Sequence, residues 1–170
     1  MVKIDLSNRK DVNGYLDKRR FQQLKNLELL NLENTSTFGG IGVLRHNMEL
    51  RYLNLNNTRV SGYLDDLGNF TELRYVNLAN TAVRGNIAAF ENSKELRFLN
   101  LHSTKVFGYI AALQDTTQLK DFENFDVSNT KITCPQEGPL RAVLLKLGFT
   151  ESQLKDLHEM DGLELRWTLS

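Results

Sequence analysis

The side chains that could do chemistry in this sequence are few and do not form a set. The three histidines, His46, His102 and His158, fall in separate regions and show no metal-ligand spacing. The only cysteine, Cys134, precedes a proline, and we interpret it as a small buried residue because free cysteine is among the most buried residue types. No glycine-rich segment has the strand-loop-helix context of a phosphate site. The sequence therefore predicts no catalytic residue, no metal site and no cofactor, which leaves surface recognition as the function.

Side chains suited to recognition recur at a fixed step. The segment LRYLNLNNTRVSGYL from Leu50 returns as LRYVNLANTAVRGNI from Leu73 and as LRFLNLHSTKVFGYI from Leu96, and 73 − 50 and 96 − 73 both equal 23. Tyrosine, arginine and asparagine fill the variable positions of these copies, and Tyr and Arg dominate interface hot spots. The predicted partner-binding residues are Arg51, Tyr52, Asn54, Arg74, Tyr75, Asn77, Arg97, Phe98, Asn100 and His102.

The elements that position these residues follow from the apolar pattern. Leu53 and Leu55 alternate with Asn54 and Asn56, which indicates a short strand with one buried face. A single strand of this kind cannot bury its apolar face alone. Successive copies are therefore expected to stack into a parallel sheet whose outward positions read the partner.

Other positions of each copy are predicted to be structural. Val60, Leu64 and Leu67 are expected to fill the interior of one coil. The recurring threonines are expected to face inward and to bond backbone groups freed at the strand end. The recurring glycines are expected to allow a positive φ or a close backbone approach where the chain turns off the sheet. These residues are Thr35, Thr58, Thr81, Thr104, Thr130, Gly39, Gly62, Gly85 and Gly108.

Further copies begin near 1, 27 and 122, and the shared template is apolar-x-x-apolar-x-apolar-x-x-Thr-x-Val-x-Gly-x-Ile. This template resembles the leucine-rich repeat family. Its Gly-x-Ile half is most similar to the plant-type subclass, although threonine replaces asparagine at the ninth position and the proline after the isoleucine is absent. The resemblance implies an α/β leucine-rich-repeat solenoid with a short parallel sheet on its concave face, and it implies binding of a protein or peptide by that face.

The sequence divides into two regions. Residues 1–133 form the repeat array, with about six coils starting near 1, 27, 50, 73, 96 and 122. Residues 134–170 leave the pattern, with helical apolar spacing at 139–147, a capping box at Thr150 and alternation at 162–167. We predict that this segment is a mixed helical C-terminal cap over the last exposed coil.

Each outward column also has a structural interpretation. The asparagines could bond one another along the sheet, and the aromatic residues could stabilise it by stacking. The arginine column ends at Glu123 and runs beside an acidic column formed by Glu49, Glu72, Glu95 and Asp121. Mutual neutralisation of these columns is therefore the alternative to partner binding.

The composition of the chain limits the classes of partner that it could bind. The 170 residues carry 21 Lys plus Arg and 21 Asp plus Glu, and a net charge of zero argues against a nucleic-acid partner. The apolar runs are too short to span a bilayer, the start lacks a signal peptide, and a lone cysteine favours a reducing compartment. We predict a monomeric, non-catalytic protein- or peptide-binding module in the cytoplasm, without a membrane partner. Two alternatives stay open: an extracellular protein whose signal peptide was removed, and the recognition segment of a larger receptor or enzyme.

Overall fold

A computed structural model describes residues 1–113, 115–116, 118–119 and 124–133. The predicted cap at 134–170, with its Cys134, lies outside these residues, as do Asp121 and Glu123 of the charged columns. In chain order the elements, with η for a 3₁₀ helix, are β1 (Val2–Asp5), α1 (Lys18–Gln23), β2 (Leu27–Asn31), β3 (Phe38–Gly40), η1 (Ile41–Leu44), β4 (Tyr52–Asn54), β5 (Arg59–Tyr63), η2 (Leu64–Leu67), β6 (Tyr75–Asn77), β7 (Ala82–Asn86), η3 (Ile87–Phe90), β8 (Phe98–Asn100), β9 (Lys105–Tyr109), η4 (Ile110–Leu113), β10 (Phe125–Asp126) and β11 (Lys131–Thr133).

The first sheet holds one strand from each predicted copy. Its six parallel strands follow the order β1-β2-β4-β6-β8-β10. Equivalent residues of neighbouring copies pair, so that Leu30, Leu53, Val76 and Leu99 form one row, and all four side chains are fully buried. The apolar positions of the strands thus build one continuous core, as the period-two alternation predicts.

A second parallel sheet, which the sequence analysis did not predict, covers the side of the coils next to the first. It has the order β11-β9-β7-β5-β3. Val60, Val83 and Val106 point inward from three of its strands and are fully buried. Each of β3, β5, β7 and β9 runs directly into a 3₁₀ helix, where Leu64 and Leu67 are also fully buried. The predicted interior positions of the coil are therefore confirmed.

The positive φ predicted for the recurring glycines is confirmed, but their predicted location is wrong. Gly39, Gly62, Gly85 and Gly108 have φ between 111° and 121°, but they lie inside the second sheet rather than at the turn off the first. A Cβ at Gly85 would lie 3.0 Å from the Leu64 amide nitrogen, which explains the need for glycine there.

The turn off the first sheet is made instead by the residue before each threonine. Asn34, Asn57, Asn80, Ser103 and Asn129 all have φ of 54° to 55°, a left-handed conformation that asparagine tolerates better than most residues. The Asn57 amide donates to Oδ1 of Asn34 at 2.7 Å, and so links two consecutive turns.

The threonine prediction is confirmed by the hydrogen bonds. In each of the five copies the threonine hydroxyl donates to the carbonyl oxygen three residues earlier, at 2.6 to 2.7 Å. Thr81, for example, is 8% exposed and donates to the Leu78 carbonyl at 2.6 Å. The hydroxyl thereby satisfies a carbonyl that the end of the strand leaves without a strand partner.

Replacing Thr81 with valine keeps the shape of the side chain and removes this bond. We expect the free energy of unfolding to fall by about 1–2 kcal/mol, the usual cost of leaving a buried carbonyl unpaired, in a urea titration followed by circular dichroism. Thr71→Val is the matched control because Thr71 is exposed. Equal stabilities for the two variants would show that the buried hydroxyl contributes nothing.

Candidate functional site

The outward side of the first sheet carries the predicted recognition residues. We call this surface the first-sheet face, and its members are Arg51, Tyr52, Arg74, Tyr75, Arg97, Phe98 and His102. The arginines lie just before strands β4, β6 and β8, and the aromatic residues open those strands. Because equivalent residues pair in register, each residue type forms a column across the sheet.

The aromatic column is a continuous stack. The ring centroids of Tyr52 and Tyr75 lie 4.2 Å apart with planes 9° from parallel, and those of Tyr75 and Phe98 have the same separation and angle. All three rings are half-buried. The predicted stabilisation of the sheet by stacking is thus present, and the stack also leaves one side of a rigid apolar strip open to solvent.

Tyr75, in the middle of the stack, has a perturbed hydroxyl. Partial burial, helped by the neighbouring Tyr52 hydroxyl, raises the pKa of Tyr75 to about 12 from an ordinary value of 10.0. The cause is that a phenolate loses hydration between two rings. Tyr75 therefore remains a neutral hydrogen-bonding group at any physiological pH.

The arginine column is exposed and only partly neutralised. A guanidinium nitrogen of Arg51 lies 3.5 Å from the Glu72 carboxylate of the next copy, and both side chains are nearly half-exposed. Arg74 and Arg97 are exposed and form no ion pair with the residues that the structure describes. Neutralisation by the acidic column is therefore observed once, and two guanidinium groups stay available in the described part.

The asparagine column serves the backbone. The side-chain oxygens of Asn54 and Asn77 each accept from the amide nitrogen two residues later, at 3.2 Å, and Asn100 does the same toward His102 at 2.9 Å. Asn54 is 2% and Asn77 7% exposed. These amides hold the turn that follows each strand, so a partner meets the arginines and rings rather than Asn54 and Asn77.

His102 lies at the end of the face within a polar cluster. Its Nδ1 is 2.5 Å from the Ser128 hydroxyl and 3.9 Å from Oδ2 of Asp126, and its Nε2 is 3.0 Å from the Ser103 hydroxyl. Ser128 in turn donates to Asp126 at 2.7 Å. The ring is thus fixed in orientation at the point where strands β8 and β10 end.

Sequence reasoning missed two polar residues beside this face. Glu33 accepts from the side-chain amides of Asn54 and Asn56 at 3.0 and 2.9 Å, and Ser128 positions His102. The signal was present in the repeat, because Glu33, Asn56, His102 and Ser128 occupy the same position of their copies.

A metal-binding cluster and a membrane-spanning helix are both absent from the residues that the structure describes. Within the described ranges, no three or more His, Cys, Asp or Glu side chains are grouped so that they could hold a metal ion. In the same part of the chain, no helix has the length and apolar character needed to cross a bilayer.

Comparison with known proteins identifies the fold. No family model and no curated protein sequence matches the chain. The structure is similar to the leucine-rich-repeat ectodomain of the Arabidopsis thaliana receptor kinase GASSHO1/SCHENGEN3, solved in complex with CASPARIAN STRIP INTEGRITY FACTOR 2, with a TM-score of 0.71 over 86% of this chain and 21% identity. The leucine-rich-repeat ectodomain of Arabidopsis thaliana SOBIR1 gives a TM-score of 0.65 over 78% of this chain, at 21% identity.

A third similar structure is the ectodomain of the Arabidopsis receptor kinase HAESA in complex with an extended IDA peptide hormone ligand, with a TM-score of 0.67 over 80% of this chain and 25% identity. The chain spans 17% of the GASSHO1/SCHENGEN3 chain, 72% of the SOBIR1 chain and 23% of the HAESA chain. The predicted leucine-rich-repeat solenoid of the α/β class is thus confirmed.

The raised pKa of Tyr75 gives a prediction about alkaline pH. The folded state favours the neutral phenol, so the contribution of Tyr75 to stability is complete below its unfolded pKa near 10 and is lost as the pH rises towards 12. The phenolate absorbance of the native protein minus that of Tyr75→Phe should therefore titrate near pH 12. The same difference measured in concentrated urea should titrate near 10, and a native midpoint near 10 would show that the stack does not desolvate this hydroxyl.

Proposed function

We propose that the chain is a non-catalytic module that binds a protein or peptide through its first-sheet face. The observation that supports this most strongly is the open strip of stacked rings at Tyr52, Tyr75 and Phe98, with exposed arginines beside it. Large rings and planar guanidinium groups contribute much binding energy for little loss of conformational freedom. Here the stack and the sheet have already restricted the rings.

The dimensions of the face favour a peptide segment over a large globular partner. Six strands about 4.8 Å apart, each exposing a few residues at about 3.3 Å, present roughly 400 Å². A standard protein interface uses about 800 Å² per partner. An extended segment lying across the strands would contact the three stacked rings and the guanidinium groups of Arg51, Arg74 and Arg97 in turn.

The similar structures support the same reading. HAESA is solved with a peptide hormone, and GASSHO1/SCHENGEN3 with CASPARIAN STRIP INTEGRITY FACTOR 2. Both are ectodomains that share this fold. We therefore infer that the ligand of this chain is a peptide or protein rather than a small metabolite.

The second candidate is the recognition segment of a larger receptor. It is favoured by length, because the chain spans only 17% and 23% of two of the receptors it resembles. In that case the first-sheet face supplies part of a longer binding surface.

The similar proteins also bear on location. They are ectodomains, which gives the expected cytoplasmic location no support and favours the extracellular alternative. A lone cysteine is compatible with either compartment, since the fold is held by stacked coils rather than by disulfides.

The double variant Arg74→Ala/Tyr75→Ala removes the centre of the first-sheet face. We expect partners retained by the immobilised full chain to be lost, and the affinity of a partner so identified to fall by at least about 30-fold in calorimetry, or about 2 kcal/mol. Glu91→Ala/Lys94→Ala is the matched control, because these exposed residues follow η3, outside both sheets. Undiminished binding by a folded double variant would place the site elsewhere.

A further inference from the structure

The most exposed aromatic rings of the molecule are not on the first-sheet face. Seven large apolar side chains of the described residues are exposed, and five of them lie on or beside the second sheet: Tyr15, Phe38, Tyr63, Phe107 and Tyr109. Their exposed fractions run from 40% to 64%. We call the outward side of strands β3, β5, β7, β9 and β11 the second-sheet face. A concentration of exposed rings on one face is typical of an interaction surface.

Cations are interleaved with these rings. Across β5, β7 and β9 the register places Tyr63, Arg84 and Lys105 in one row. On one side of it Phe38 pairs with Arg59, and on the other Phe107 pairs with Lys131. Each of these three rows thus joins an aromatic residue to a cation.

The arginines lie over the rings. The guanidinium carbon of Arg84 is 4.4 Å from the centroid of the Tyr63 ring, and that of Arg59 is 5.7 Å from the centroid of Phe38. A guanidinium group held over a ring keeps its N–H donors at its edge, where a carboxylate can accept two of them. Arg59 also donates from Nη2 to the Ser36 carbonyl at 3.2 Å, and the remaining N–H donors of both arginines can meet an anionic partner.

The charge of this face is of one sign. The five strands contain Arg59, Arg84, Lys105 and Lys131 and no acidic residue. None of these four cations forms an ion pair with any residue that the structure describes. On the first-sheet face, by contrast, Arg51 has Glu72. The balanced charge of the whole chain thus conceals a group of four positive charges on these strands.

We propose that the second-sheet face is a binding surface for an acidic peptide segment. Aspartate or glutamate side chains would bond the guanidinium groups of Arg59 and Arg84 and the ammonium group of Lys105. Apolar side chains of the same segment would lie against the exposed rings of Tyr63 and Tyr109. The surface is separate from the first-sheet face, so a partner could occupy either one independently.

Size and surroundings favour a short peptide over a nucleic-acid strand. Five strands about 4.8 Å apart extend over roughly 20 Å, which matches about six residues of extended peptide at about 3.3 Å each. Two carboxylates lie close to the face: Asp65 and Asp66 are in the first turn of η2, and a Cβ at Gly85 of β7, the central strand, would lie 3.1 Å from Oδ2 of Asp65. A nucleic acid carries a phosphate at every unit and would place one beside these carboxylates, whereas a peptide can place an uncharged residue there.

The test uses the full chain and labelled poly-L-glutamate of about 20 residues, with fluorescence anisotropy at low salt. We expect binding that weakens as salt is added, and a loss of affinity of at least about tenfold in Arg59→Glu/Arg84→Glu/Lys105→Glu. The matched control Lys25→Glu/Arg45→Glu/Lys94→Glu reverses three exposed charges outside both sheets and should bind within about twofold of the unmodified chain. Circular dichroism checks that both variants fold. If the second-sheet triple variant does not fold, the single change Arg84→Gln replaces it and is expected to lower the affinity about threefold.

The rings are tested with a copolymer of glutamate and tyrosine. We expect it to bind more tightly than poly-L-glutamate, and we expect Tyr63→Ser/Tyr109→Ser to abolish that advantage. The proposal is overturned if poly-L-glutamate does not bind, if the Lys25/Arg45/Lys94 control loses as much affinity as the second-sheet variant, or if labelled oligothymidylate binds more tightly than either polymer through the same cations.

Discussion

The structure depends on a backbone register that each sheet repeats between successive coils. The Arg74 amide donates to the Arg51 carbonyl at 2.9 Å, and the Arg97 amide donates to the Arg74 carbonyl at the same distance. A strand of three residues has little stability alone. It is stable here because each coil closes the hydrogen bonds and the apolar core of the one before it. On the first sheet, equivalent side chains therefore lie beside one another, about 4.8 Å apart.

This constraint explains why the two outward faces differ. On the first sheet, equivalent residues pair, so Tyr52 lies beside Tyr75 and like is stacked on like. Stacked rings and aligned side-chain amides attract one another in that arrangement, whereas arginines repel one another. On the second sheet the pairing is offset by two positions, so Tyr63 lies beside Arg84 rather than beside its equivalent, Asn86. Unlike side chains then become neighbours, and rings alternate with cations.

The first sheet and its core could be predicted because their residues obey a period of two and a constant step. Leu53, Thr58 and Val60 are where that pattern puts them. The second sheet could not be predicted, because its strand β5, RVSGY, contains a glycine with positive φ and shows no clear alternation of apolar and polar residues. The helix α1 was also missed; it lies in the longer first copy and is capped by Asp17. The alternation alone predicts that the Asn54 side chain faces outward to a partner. Its side-chain oxygen instead accepts from the Asn56 backbone amide in the turn after the strand.

Removal of one whole repeat tests the central claim, that a register repeated from coil to coil holds the solenoid together, most directly. Deleting residues 73–95 joins Glu72 to Leu96 and brings Tyr52 beside Phe98 and Leu53 beside Leu99, which preserves the register. The account predicts a folded chain that unfolds in one cooperative step at a lower urea concentration, because one coil-to-coil interface is lost. A chain without β circular dichroism or a cooperative transition would contradict it, since interchangeable coils should close on one another.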